Sequence, residues 1–253
     1  MYYYIFDVKR CRKKSQIDLI KNQLTSLGIS GEYTFIAPNQ SPELLAENAI
    51  NKGYNTIVAV GSDDLVSAVA NVLIGRKEVL GVLPLSASDE LTTLIGCREW
   101  QEAIEVLRFR RIRDINTGKI ANGKHFLTNI FLNISSPIEV TIEFKNFIMQ
   151  STVKNLMISN YHPDIEKKFH DHLDIVIESV KTRPNSFLNK LSSIINPSKE
   201  VINDNISFVR AKSLRIFTKT PTPLINGDKI IAKTPQLIEA TDEKIRLIVA
   251  KNV

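Results

Sequence analysis

Up to about residue 112, apolar positions alternate between two rhythms. The segments YYYIFDV (2–8), GEYTFIA (31–37), NTIVAV (55–60) and VLGVLPL (79–85) are short, mostly apolar runs rich in β-branched and aromatic residues, which predicts buried strands. Between them the apolar residues return every three or four positions. Ile17, Ile20, Leu24 and Leu27 mark one face of a helix in KKSQIDLIKNQLTSLG, which ends on Gly28. SPELLAENAINKG predicts a second helix, with Ser41 as N-cap, Pro42 at the first helical position, Glu43 in the first turn and Gly53 at the far end. LVSAVANVLIG, SDELTTLIG and EWQEAIEVLRFRR predict three more. Strand and helix in repeated alternation imply a parallel, doubly wound sheet whose ligands sit where strand ends meet helix N-termini.

The rhythm then changes. RDINTGKIANGKHFLTNIFLNI holds two strand-like runs around Ala121-Asn122-Gly123, whose Asn-Gly pair suits a tight hairpin. VTIEF, NLMISN, LDIVIES, ISFVRAKSLRIFT, DKIIAKTPQLIEA and KIRLIVA are β-like, and one predicted helix, SFLNKLSSII, interrupts them. The pattern predicts an α/β domain over residues 1–112 followed by a mostly β domain over residues 113–253.

Composition narrows the class without choosing a function. With 43% hydrophobic and 24% charged residues, the 253-residue chain has the make-up of a soluble globular protein. The excess of 33 Lys+Arg over 27 Asp+Glu gives +6, which favours anionic partners in general: nucleotides, nucleic acid or membrane surfaces. Nucleic acid is not expected, because aromatic residues for base stacking make up only 7% of the chain. Cys11 and Cys97 alone make no disulfide framework. No apolar stretch approaches the roughly 18 residues of a membrane span, and MYYYIFDVKR lacks the order of a signal peptide, so a cytoplasmic place is expected.

Among clusters of reactive side chains, His170 and His172 with Asp171 and Asp174 in FHDHLD admit zinc or a structural cation, but a polar turn entering a strand is the commoner reading. The basic run KRCRKK (9–14) fits a solvated turn better than a phosphate or membrane patch. Arg108, Arg110, Arg111 and Arg113 crowd the domain boundary. No Ser-His-Asp or Cys-His arrangement, nucleophile elbow or P-loop stands out.

Two loops carry the chemical interest: Gly61-Ser62-Asp63-Asp64 after the third strand and Ser86-Ala87-Ser88-Asp89 after the fourth. A small polar loop between strand and helix offers free N–H groups and the positive end of the helix dipole to a phosphate. Taken alone, such a loop is more often just a helix cap.

Together with their neighbours, the two loops resemble the diacylglycerol kinase and sphingosine kinase catalytic family. VAVGSDDLVSAVANVL (58–73) is similar to that family's strand, Gly-Gly-Asp-Gly-Thr loop and helix, and LGVLPLSASDELTTLIG to its second loop, Leu-Pro-Leu-Gly-Thr with a following Asn-Asp-Phe. RDINTGKIANGKHFLTNIFLNI looks like the strand pair opening its second domain. LDIVIESV, AKSLRIFTKTPTPLINGDKI and AKTPQLIEA resemble its late strands, with Ile225-Asn226-Gly227-Asp228 standing at its Asp-Gly-Glu. The resemblance implies a Rossmann-like domain followed by a mostly antiparallel β-sandwich, with the active site in the cleft between them. It also implies ATP and Mg²⁺ as cofactors and a lipid such as diacylglycerol, or another hydroxyl-bearing acceptor, as substrate.

Carried over by position, the resemblance assigns catalysis to Asp63 and Asp228 and metal ligation to Asp63, Asn226 and Asp228. Nucleotide contacts fall to Gly61, Ser62, Asp64, Leu65, Ser86, Ala87 and Asp89. Several depart from the family pattern: Ser62 and Asp64 replace glycines, Leu65 a threonine, and Ser86, Ala87 and Asp89 replace Gly, Thr and Asn. Asp64 adds a negative charge beside the expected phosphates. These departures leave three readings open: a divergent lipid kinase, with peripheral membrane contact as a corollary; a catalytically silent relative serving as a binding module; and a kinase of a soluble nucleotide or polyol, since the related NAD kinases share the first-loop design. The oligomeric state is left open.

Overall fold

In the computed structural model, which describes residues 1–11, 14–161, 171–180 and 205–251, the alternating half of the sequence forms a parallel sheet flanked by helices. Its elements run β1 (Tyr2–Phe6), α1 (Lys14–Ser26), β2 (Gly31–Phe35), α2 (Pro42–Asn51), β3 (Thr56–Gly61), α3 (Asp63–Leu73), β4 (Val79–Pro84), α4 (Asp89–Ile95) and α5 (Trp100–Phe109). Spatially the strands stand in the order β4-β3-β1-β2, all parallel. Both β3 and β4 are buried at every position, which is why their sequences read as continuous apolar runs. Ile17, Ile20 and Leu24 of α1 enter the core as their spacing predicts, and Ser41 caps α2 by accepting from the Leu44 N–H at 3.5 Å.

The remainder is strand-dominated. β5 (Ile112–Ile120), β6 (His125–Phe126), β7 (Asn129–Leu132), β8 (Ile138–Phe144), β9 (Ile148–Ser159), β10 (Leu173–Ser179), β11 (Ile206–Ala211), β12 (Ser213–Thr218), β13 (Pro223–Asn226), β14 (Lys229–Lys233) and β15 (Gln236–Ile248) pair antiparallel with one another. The expected Asn-Gly hairpin joins β5 to β6, with Gly123 at φ +85° and its N–H donating to the Ile120 carbonyl at 2.8 Å.

Three segments differ from the hydrophobic pattern. ISFVRAKSLRIFT breaks at Lys212 into β11 and β12, and DKIIAKTPQLIEA breaks before Gln236, where Pro235 has no N–H to give a ladder. The polar stretch Thr241–Lys244, by contrast, does not end a strand: β15 passes through it with a register shift against β5. The predicted helix SFLNKLSSII lies outside the described residues.

The whole is a mixed α/β fold built on one large sheet, because the end of β15 pairs parallel with β4 (Arg246 with Val79, Leu247 with Leu80). Two apolar clusters fill it. One lies around the parallel strands and includes Ile245, Leu247, Ile248 and Val249 from the chain's far end. The other lies among the antiparallel strands, around Phe126, Ile142, Leu156 and Ile216.

Candidate functional site

In the order β2-β1-β3-β4 the chain leaves β1 in one direction to reach β2 and in the other to reach β3 and β4, so the carboxyl ends of β1 and β3 flank the switch point where open α/β sheets bind ligands. There β3 ends on Gly61, where an added Cβ would come within 3.0 Å of both the Asp7 Cβ and the Leu65 Cδ2. Ser62 follows as N-cap of α3, yet its side chain makes no capping bond. It is 6% exposed, and its hydroxyl is buried without a partner. Asp63 and Asp64 occupy the first turn of α3, the positive end of that helix.

Asp63 joins the two loops. Its Oδ1 accepts the Ser88 N–H at 2.8 Å and its Oδ2 accepts the Ser88 hydroxyl at 2.6 Å. The Ser88 Oγ in turn accepts the Leu91 N–H at 3.2 Å as N-cap of α4. Ser86, at the family's glycine position, adopts φ +60°, the left-handed region that glycine occupies more easily. From the opposite side the turn between β13 and β14 lies over α3's first turn. Gly227 has φ +59°, and a Cβ there would sit 3.4 Å from Asp64 Oδ1 and 3.5 Å from the Asp63 Cβ. The next residue, Asp228, is 83% exposed and meets Arg10 across the opening, Nη2 to Oδ2 at 3.3 Å.

These groups enclose a cavity of about 220 Å³. Asp64 also borders a neighbouring cavity of about 250 Å³, lined further by Ser67, Asn71, Lys124 and Lys229. Its Oδ1 is buried with no hydrogen-bond donor. Burial, and then the Asp228 charge, push the Asp64 carboxyl above its ordinary range.

The structure thus brings Ser62, Asp63, Asp64, Ser86, Ala87 and Asp228 onto one cavity, with Gly61 packed behind them. Three predicted site residues stand elsewhere. Leu65 is buried in the apolar core, where hydrophobicity and the contact with Gly61 hold it. Asp89 is exposed at the start of α4, its carbonyl accepting from Thr92 and Thr93. Asn226 is 5% exposed and already satisfied: its Oδ1 accepts the Ser67 hydroxyl at 2.8 Å and its Nδ2 donates to the Asn129 carbonyl at 2.7 Å.

Sequence reasoning passed over three lining residues: Arg10, Ser88 and Gly227. Ser88 and Gly227 were visible as a small residue before a helix and as the glycine of a turn. Arg10 belongs to KRCRKK, which reads as a solvated turn, and no local pattern shows that a residue 218 positions later meets it.

The remaining candidates have structural partners. Asp171 is held by Lys212 and His172, and Asp174 by Arg210, so these carboxylates face side-chain cations; His170 lies outside the described residues. Among the described residues, no group of three or more His, Cys, Asp or Glu side chains converges as a metal cluster. Arg110 donates to Thr56 and Arg111 to the Lys251 carbonyl. No helix among the described residues is long and apolar enough to cross a membrane.

Solved structures share this fold. The chain shares its fold with a diacylglycerol kinase from Bacillus anthracis str. Sterne at 17% identity and a TM-score of 0.74, covering 100% of this chain and 97% of the other. A candidate diacylglycerol kinase from the same organism gives 17% identity and a TM-score of 0.77 over 99% and 97% of the two chains. No curated protein sequence matches significantly. Residues 9–120 match the model of the diacylglycerol kinase catalytic domain family.

Proposed function

We propose that the chain is an ATP-dependent phosphotransferase acting on a lipid hydroxyl such as that of diacylglycerol. One observation carries the reading: the N-terminus of α3, the second loop bound to Asp63, and the Gly227-Asp228 turn from a distant part of the chain all close on one cavity. Nucleotide phosphates would lie over the first turn of α3, met by its free N–H groups and by the unpartnered hydroxyl of Ser62. Asp63 would keep the two loops in register, a positioning duty.

The donor set fits Mg²⁺, a hard cation that favours carboxylate oxygens and shares its shell with phosphates. Asp64 Oδ1 is a buried acceptor without a donor, and Asp228 has an exposed carboxylate, so these two would hold the ion with Asp63 beside them. Bound there, the ion would neutralise charge on the transferring phosphate. Asp228 would accept the proton of the acceptor hydroxyl as its oxygen bonds to phosphorus and ADP leaves.

The matching architecture is a Rossmann-like unit over residues 1–112 and an antiparallel β-sandwich over residues 113–253, supported by the two apolar clusters, with the end of β15 returning to the first unit. A cytoplasmic protein working at a membrane surface fits this substrate. The test is ATP-dependent phosphorylation of a lipid extract by wild type, Asp63→Asn and Asp228→Asn. Loss in both variants is expected, and activity untouched by either removes the assignment.

A second reading, a silent relative that serves as a binding module, is favoured by the engagement of both Asp63 oxygens with Ser88 and of Asp228 with Arg10. Nucleotide binding without turnover in wild type would select it.

A further inference from the structure

We infer that Arg10 is the anion-binding cation of the cleft and that Asp228 holds it in reserve until a ligand takes it; this rests on the nucleotide-binding reading above. Among the described residues lining the cavity, three are carboxylates, Asp63, Asp64 and Asp228, and Arg10 is the one cation. A phosphate entering without Arg10 would meet α3's N–H groups and the Ser62 hydroxyl against three negative charges. Arg10 sits where the chain leaves β1, at the switch point, and its guanidinium reaches over the cavity to the turn after β13.

The contact that holds Arg10 is weak. It is a single Nη2–Oδ2 approach at 3.3 Å, with the Arg10 side chain 36% and the Asp228 side chain 83% exposed. Exposed pairs of this kind contribute little, whereas a phosphate offers a guanidinium two parallel hydrogen bonds and more charge. A ligand phosphate should therefore displace Asp228 from Arg10. A divalent cation drawing Asp228 to itself would free Arg10 in the same motion, so anion and cation binding should reinforce each other through this pair.

The experiment measures binding of ADP and of inorganic pyrophosphate by titration calorimetry, in Mg²⁺ and in EDTA. The proteins are wild type, Arg10→Met, Arg10→Lys and Asp228→Asn, each checked for folding by its melting curve. Arg10→Met should weaken both ligands by about tenfold or more, as expected for losing hydrogen bonds to a charged group, and Arg10→Lys by less. Asp228→Asn should tighten binding in EDTA and lessen the gain on adding Mg²⁺. Wild-type binding that Arg10→Met leaves unchanged overturns the role of Arg10 alone, as does weaker binding by Asp228→Asn in EDTA. Should Arg10→Met not fold, the Arg10→Lys and Asp228→Asn results still decide. Failure of wild type to bind either ligand overturns the nucleotide reading and this inference with it.

Discussion

Replacing Asp63 by alanine removes both acceptors of Ser88, the N–H at 2.8 Å and the hydroxyl at 2.6 Å. Hydrogen bonds to a charged group contribute about 1.5–3 kcal/mol each when well buried. Ser88 is only half-buried, so water replaces part of what is lost, and its Oγ keeps the Leu91 N–H. Removing one of three neighbouring acids also relieves repulsion on Asp64. The balance is a loss of about 2 kcal/mol for Asp63→Ala, and about 1 kcal/mol for Asp63→Asn, which keeps one acceptor oxygen. With a urea slope of about 2–3 kcal/mol/M, Asp63→Ala should lower the unfolding midpoint by about 0.7–1 M. The single tryptophan, Trp100 at the start of α5, gives the fluorescence signal. Asp228→Asn, which loses an exposed ion pair but also relieves repulsion on Asp64, should move the midpoint by less than about 0.2 M. An Asp63→Ala midpoint equally close to wild type would refute the claim that this carboxylate couples the two loops.

Other consequences are as direct. Asp64→Asn should raise stability at neutral pH: the folded protein holds the Asp64 proton more tightly than the unfolded chain, so wild type loses stability as pH rises from the unfolded value of about 3.9 through the raised folded one. Urea midpoints should show the gain at pH 7 and little of it near pH 3.5, and an equal gain at both would contradict the assignment. Ser86→Gly should stabilise by about 0.5–1 kcal/mol, since relief of the left-handed backbone exceeds the added chain entropy; a lower melting temperature would show that the Ser86 side chain supports the loop. Burial pushes the Cys97 thiol up to about 12, so an alkylating reagent at pH 8 should leave it intact in the native protein and modify it after unfolding. Rapid native labelling of Cys97, mapped by mass spectrometry, would contradict that burial.

The parallel half was legible because its central strands β3 and β4 are buried on both faces while the helices bury one, so periodicity separated them. The antiparallel half was readable as strands but not as pairings. Lys212 and Pro235 break ladders that hydrophobicity suggests are continuous, and a register shift carries β15 through the polar Thr241–Lys244 that suggests a gap. At the site, the two loops announced themselves through small residues between strand and helix. Leu65 and Asn226 were assigned by position in a motif, whereas burial and hydrogen bonding decide what a side chain can touch. Arg10 was hidden for the opposite reason: its partner is fixed by the fold, not by its neighbours in the chain.

One strand constrains how this cleft can move. β15 runs from Gln236, beside β12, to Leu247, beside β4, and it borders β5 for most of its length. It is therefore a continuous beam joining the parallel strands, whose loops form one wall of the cavity, to the antiparallel set, whose β13–β14 turn forms the other. The walls cannot slide freely past one another. Opening must flex the beam where its ladder is already interrupted, between Thr241 and Lys244, and the Gly75 N–H bound to the Lys244 carbonyl at 2.9 Å anchors that pivot to the loop behind α3.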